Sequence, residues 1–181
     1  MENIILNEQQ EKAKAAVVKW YNEEKDNKLC FVLSGYAGTG KTFLINYIIN
    51  KVLKLEDSEV AFIAPTGKAA CVLTQRGASN AKTIHSLIYN RVEVEYTFES
   101  NGKIIKAKRF DFVKKPSIGP FKLIVLDEVS MVTQDILEDL ISFGIPILAS
   151  GDIRSTTSDR KGKYSSTTSR YKSYWNCKTR R

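Results

Sequence analysis

Gly35-Tyr36-Ala37-Gly38-Thr39-Gly40-Lys41-Thr42 constrains the fold of this chain more than any other segment. Its spacing, G-x-x-x-x-G-K-T, works only between a buried strand and the start of a helix. Both are legible in the flanks. Leu29–Leu33 is a short run apolar on both faces, and Phe43–Val52 repeats its apolar residues at helical spacing. In such a loop Gly35, Ala37, Gly38, Thr39 and Gly40 let the backbone wrap phosphate oxygens. Lys41 sets a cation against the β and γ phosphates, and Thr42 offers its hydroxyl to Mg²⁺. ATP with Mg²⁺ is the expected ligand. A chance glycine turn is the alternative, and strand, helix, Lys and Thr together leave it little room.

The rest of the pattern agrees with a parallel sheet covered on both sides. Three further runs, Val60–Ala64, Leu123–Leu126 and Ile145–Ala149, are apolar throughout, as buried parallel strands require. Helical patterns at Ala69–Leu73, Ile84–Ile88 and Ile136–Ile141 separate them, the alternation of a doubly wound α/β domain. Before the first strand, Asn7 can cap a helix with apolar positions Ala13, Ala16, Val17 and Trp20. Val92 to Phe112 changes to period two around Asn101-Gly102, a type I′ hairpin signal. Pairing outward sets Phe98 against Ile105, Tyr96 against Ala107 and Glu95 against Lys108. Pro116 and Pro120 mark the return to the sheet.

Leu123–Leu126 ends in Asp127-Glu128, the acidic strand end that completes a phosphate-loop site. Asp127 is the expected Mg²⁺ ligand and Glu128 the expected general base for the attacking water. Neighbouring side chains on a strand point to opposite faces, so the chain must turn there for both acids to serve one site.

Charge could suggest nucleic acid, since the chain carries a formal +8. Residues 153–181, however, hold nine Lys/Arg and one acid, a net +8, while residues 1–152 balance nineteen of each. The domain itself is neutral, so a nucleic-acid argument must rest on particular residues. Three cysteines, Cys30, Cys71 and Cys177, lie far apart without disulfide or zinc spacing. No apolar run approaches the roughly 20 residues that span a bilayer, and the expected location is cytoplasmic, with no membrane partner.

Five motifs in order resemble the motor of RecD-like and Dda-like superfamily 1 DNA helicases: the loop at 35–42, Ala64-Pro65-Thr66-Gly67-Lys68-Ala69-Ala70, Thr83-Ile84-His85-Ser86, Asp127-Glu128-Val129-Ser130-Met131 and Gly151-Asp152. The resemblance implies a RecA-like P-loop NTPase domain over 1–154 with a β-hairpin insert at about 91–115. It also implies an ATP-dependent 5′-to-3′ DNA helicase as the lineage, with single-stranded DNA as the partner. By the same resemblance Gln10 of Leu6-Asn7-Glu8-Gln9-Gln10 reads adenine, although a solvated first-turn residue is the plain alternative. Asp152 would stand near the γ-phosphate. Pro65, Thr66, Gly67, Lys68, Thr83 and His85 would face the DNA strand, His85 having a satisfied core histidine as its alternative. Phe98, Tyr96 and Ile105 of the hairpin could meet bases or simply hold the hairpin together.

Beyond Asp152 the pattern breaks. The family continues from Gly-Asp into Gln-Leu-Pro-Pro and a second RecA-like domain, whereas here Ser155-Thr156-Thr157-Ser158-Asp159 follows. Those codons, read one base later, can spell Gln-Leu-Pro-Pro-Ile, which suggests a frameshift after Arg154. On this reading 155–181 is an unstructured basic Ser/Thr-rich tail. The second lobe is then missing or separately encoded, and the chain alone is not expected to unwind duplex. A non-enzymatic nucleotide- or nucleic-acid-binding fragment, and a regulatory partner of a separate lobe, are the other readings.

Overall fold

The computed structural model describes residues 5–36, 38–100, 102–151 and 171–174. Ala37, Asn101, Asp152 and the expected frameshift point after Arg154 lie outside them. In chain order the elements are α1 (Glu8–Lys19), β1 (Cys30–Ser34), α2 (Lys41–Tyr47), β2 (Val60–Ala64), α3 (Gly67–Gln75), β3 (Lys82–Thr83), α4 (Ile84–Ile88), β4 (Tyr89–Ser100), β5 (Lys103–Lys114), β6 (Leu123–Leu126), α5 (Gln134–Ile141), β7 (Ile147–Gly151) and β8 (Tyr171–Tyr174). Wide π-type turns continue α1 through Trp20–Glu24 and α2 through Ile48–Leu53, where Lys54 in the left-handed region closes the helix.

Sheet order is β3-β2-β6-β7-β1-β8, and every pairing in it is parallel. Alternation along the strands divides their side chains between two cores. Phe31, Leu33, Val60, Phe62, Leu123, Val125 and Leu148 face α1, α2 and α3. Cys30, Ala61, Ile63, Ile124, Leu126, Ile147 and Ala149 face α4 and α5. Helices therefore cover both faces, as the continuous apolar runs require. Strands β2 and β6 fall where the sequence reading has them, and β7 is shifted two residues later, to Ile147–Gly151. The short edge strand β3 was not anticipated, because Lys82-Thr83 is too short and too polar to register as a strand. Tyr171–Tyr174, expected to be unstructured, pairs in parallel with β1, whose outer backbone groups would otherwise have no strand beside them.

Asn7 caps α1 with a reciprocal pair of bonds. Its side chain accepts from the Gln10 N–H at 2.8 Å, and the Gln10 side chain accepts from the Asn7 N–H at 3.1 Å. Ala13, Val17 and Trp20 follow on the buried face, and the Trp20 indole donates to the Lys28 carbonyl at 2.6 Å. This fixes α1 against the start of β1.

Strands β4 and β5 form a separate antiparallel hairpin of twelve pairs. Phe98↔Ile105, Tyr96↔Ala107 and Glu95↔Lys108 pair as expected, and Gly102 has φ 72°. The strands run a few residues further at the open end than the change of period indicates. There the hairpin is clamped to the body: the Tyr89 hydroxyl donates to Asp139 at 2.6 Å, and Lys114 donates to Asp139 at 3.0 Å and Ser142 at 3.1 Å. Lys115 donates to the Ser86 and Leu87 carbonyls. Burial pushes the Cys30 thiol up to about 12, which leaves it inert at neutral pH. Among the described residues no helix is long and apolar enough to cross a membrane.

Candidate nucleotide and nucleic-acid site

Parallel strands all end at one edge of the sheet, and that edge collects the chemistry. Gly35 follows β1, Pro65 follows β2, Thr83 ends β3, Asp127 follows β6 and Gly151 ends β7. The Gly35 N–H donates to the Gly151 carbonyl at 3.2 Å, tying the loop to the end of β7. Gly38 and Gly40 have φ 79° and 80°, conformations that let successive N–H groups turn inward but that few other residues adopt cheaply. Gly40 is also the last residue before α2.

The Lys41 ammonium donates to the Gly35 and Tyr36 carbonyls at 2.7 and 2.9 Å, so it lies folded over the loop where a phosphate would take its place. Thr39 bonds the Tyr36 carbonyl at 2.8 Å and narrows the turn. A shallow cleft beside the loop is lined by Gln10, Leu33, Ser34, Thr39 and Lys41. Gln10 enters it from α1: a Cβ on Gly40 would lie 3.4 Å from the Gln10 amide nitrogen. Because its carbonyl serves the α1 cap, Gln10 presents its N–H₂ group towards the loop.

Opposite, Asp127 is half-buried, and its N–H donates to the Ile63 carbonyl at 3.0 Å. Its carboxylate accepts from the buried Ser150 hydroxyl of β7. Ser150 was missed by the sequence reading, yet a hydroxyl inside the apolar run Ile147–Gly151 has to find a partner, and Asp127 is that partner. Glu128 sits at φ 54°, ψ 46°, so the chain turns at this point as the side-by-side acids demand. The turn is held by the Met131 N–H, which donates to the Glu128 carbonyl at 3.0 Å, and by the Val132 N–H, which donates to the Val129 carbonyl at 3.1 Å. A Cβ on Gly151 would come within 3.1 Å of a Val129 methyl, so the end of β7 and the turn after Glu128 pack tightly here. A glycine-wrapped loop, an ammonium folded over it and a hydroxyl-anchored carboxylate fit a nucleoside triphosphate with a divalent cation.

After β2, the strand beside β6, Thr66 caps α3 by accepting from the Ala69 N–H at 3.2 Å, and Thr66, Gly67 and Lys68 are exposed. Ala64 pairs with Thr83, so this segment and the start of α4 are neighbours. Thr83 caps α4 in the same manner, through the Ser86 N–H. His85 is exposed and rests against the rings of Tyr89 and Phe112 at 5.5 and 5.9 Å, outside both cores. Phe98 is not brought to this edge. It lies seven residues along β4 from the Arg91–Phe112 pair, about 24 Å away, on the opposite face of the hairpin.

The profile of the AAA-domain family matches residues 5–155. The chain belongs to this AAA-domain family. The chain is 29% identical over 179 residues to the ATP-dependent DNA helicase Dda of Enterobacteria phage T4, a match covering 95% of this chain and 38% of that protein. It is 34% identical over 125 residues to protein R530 of Acanthamoeba polyphaga mimivirus, covering 61% of this chain and 24% of that one. The crystal structure of Pif1 helicase from Candida albicans shares the fold, with a TM-score of 0.50 at 22% identity over 83% of this chain and 33% of that structure. The chain thus spans well under half the length of the relatives it matches. These matches bear out the resemblance to superfamily 1 helicase motor domains, and nucleotide binding is the family property of this AAA domain.

Proposed function

We propose that this AAA domain is the ATP-binding motor unit of an ATP-dependent 5′-to-3′ DNA helicase, coupling ATP hydrolysis to movement along single-stranded DNA. The observation that carries the reading is the convergence at one sheet edge of a P-loop, an acidic pair and two exposed capped helix starts. Gly35 to Thr42 hold the triphosphate, with Lys41 on the β and γ phosphates and Gln10 donating to the adenine. Thr42 and Asp127 hold Mg²⁺, which when bound neutralises charge on the phosphates. Ser150 keeps the Asp127 carboxylate aimed, and Glu128 takes the proton of the attacking water. Pro65 to Lys68 and Thr83 to His85 receive the DNA strand through backbone N–H groups, hydroxyls and the Lys68 ammonium.

A second RecA-like lobe is the proposed partner, because hydrolysis at such sites typically gains about 10³- to 10⁵-fold from an arginine supplied opposite the loop. The ATP site is tested by titrating a fluorescent ATP analogue with Mg²⁺. Lys41→Ala is expected to weaken binding on the order of 10- to 100-fold, the loss of charged hydrogen bonds to phosphate. Unchanged affinity in that variant would overturn the assignment.

A further inference from the structure

We propose that His85, Tyr89 and Phe112 form a stacking platform for one unpaired nucleobase, with Phe112 as the ring that contacts it. This rests on the reading of Pro65–Lys68 and Thr83–His85 as a single-strand track and assigns that track a base-binding position. Three rings from three elements, α4, β4 and β5, meet here. The His85 and Tyr89 centroids are 5.5 Å apart, His85 and Phe112 are 5.9 Å apart in an edge arrangement, and Tyr89 and Phe112 are 6.4 Å apart. Phe112 is nevertheless 59% exposed, so the cluster leaves an aromatic surface open to solvent.

The platform is built to stay in place. The Tyr89 hydroxyl is bonded to Asp139, and Lys114, its partner across the hairpin base and two pairs along from Phe112, is bonded to the same carboxylate. From the other side Lys115 bonds the Ser86 and Leu87 carbonyls of α4, the helix that carries His85. A ring held this way loses little freedom on binding, which favours affinity.

Position selects the occupant. His85 is two residues beyond Thr83, and Thr83 pairs with Ala64, the residue before Pro65. A strand whose phosphates lie on 66–68 and 83 therefore brings its bases past these rings. Other hairpin aromatics are placed less well. Phe98 is on the opposite face and about 24 Å along the strand. Phe110 shares the face of Phe112 but has the Arg91 guanidinium over its ring at 3.6 Å. A ring contact reads the π-face that every base has, so the platform takes single-stranded nucleic acid with little sequence preference.

The test measures binding of the full chain, by fluorescence anisotropy, to a labelled oligo-dT and to a matched strand carrying abasic positions in place of thymine. Phe112→Leu keeps apolar bulk and removes the π-face. It is expected to weaken oligo-dT binding about 5- to 150-fold while leaving the abasic strand bound as before. Phe112→Trp is expected to retain oligo-dT affinity, with its emission quenched on binding. Equal loss on both strands in Phe112→Leu would mean that the ring only holds the hairpin, and no loss on either would mean that no base reaches it. Either result overturns the platform while the single-strand track stands. Failure of the unmodified chain to bind either strand would remove the track and the platform together.

Discussion

Two residues at the end of β6 and β7 set how well the acidic pair can work. Ser150 is almost wholly buried and spends its hydroxyl on Asp127. Groups that orient a metal ligand typically cost about 10- to 100-fold in metal affinity or activity when removed. Ser150→Ala is therefore expected to reduce Mg²⁺-dependent ATP turnover by that factor, read as a raised Mg²⁺ requirement. Glu128 bears backbone strain, because a left-handed conformation disfavours a side chain with a Cβ. The turn interrupts the strand alternation that would send the two neighbouring acids to opposite faces. Gly151→Ala would push a methyl to within 3.1 Å of Val129 and shift that turn. Slower turnover with nucleotide affinity retained is the expected outcome, measured by comparing steady-state hydrolysis with equilibrium binding.

Among the elements, the hairpin is held to the body at its base, by a small charged cluster beside Tyr89, which also packs against the second core. Hydrogen bonding from Tyr89, then from Lys114, holds the Asp139 carboxyl below its ordinary value of 3.8. Its contribution is complete above pH about 4 and fades as pH falls through the lower folded value. The same bond, together with burial, pushes Tyr89 from 10.0 up to about 12. The contribution of its neutral hydroxyl is complete below pH about 10 and fades as pH rises towards 12. Tyr89→Phe is expected to lower amide-exchange protection at the open end of β4 and β5 and to flatten its pH dependence at both extremes. Unchanged protection would show that the clamp contributes nothing to hairpin order.

Legibility in the sequence follows the same physics. The hairpin register was readable because Asn101-Gly102 demands one turn type and the apolar and charged residues then pair in only one way. The P-loop and Asp127-Glu128 were readable because their residues are adjacent in the chain. Ser150 with Asp127, and Tyr89 with Asp139, were not, because those partners are 23 and 50 residues apart and come together only through the parallel crossover order. Phe112 was read as a hairpin residue. Only the fold brings it beside His85.

In the whole molecule, one sheet serves two cores, and strands β2 and β6 contribute to both. Ile124 is fully buried on β6, in the core that faces α4 and α5. Ile124→Ala is expected to cost about 2–5 kcal/mol, read as a shift in the denaturant midpoint. The proposed nucleotide and nucleic-acid residues share the sheet edge built on those cores, and the proposed function has strand binding change ATP turnover. Steady-state ATP turnover by the chain, measured with and without single-stranded oligo-dT, tests this most directly. Turnover should rise when the strand is added and disappear in Glu128→Gln while ATP binding persists. Turnover unaffected by saturating oligo-dT, or undiminished in Glu128→Gln, would contradict the account.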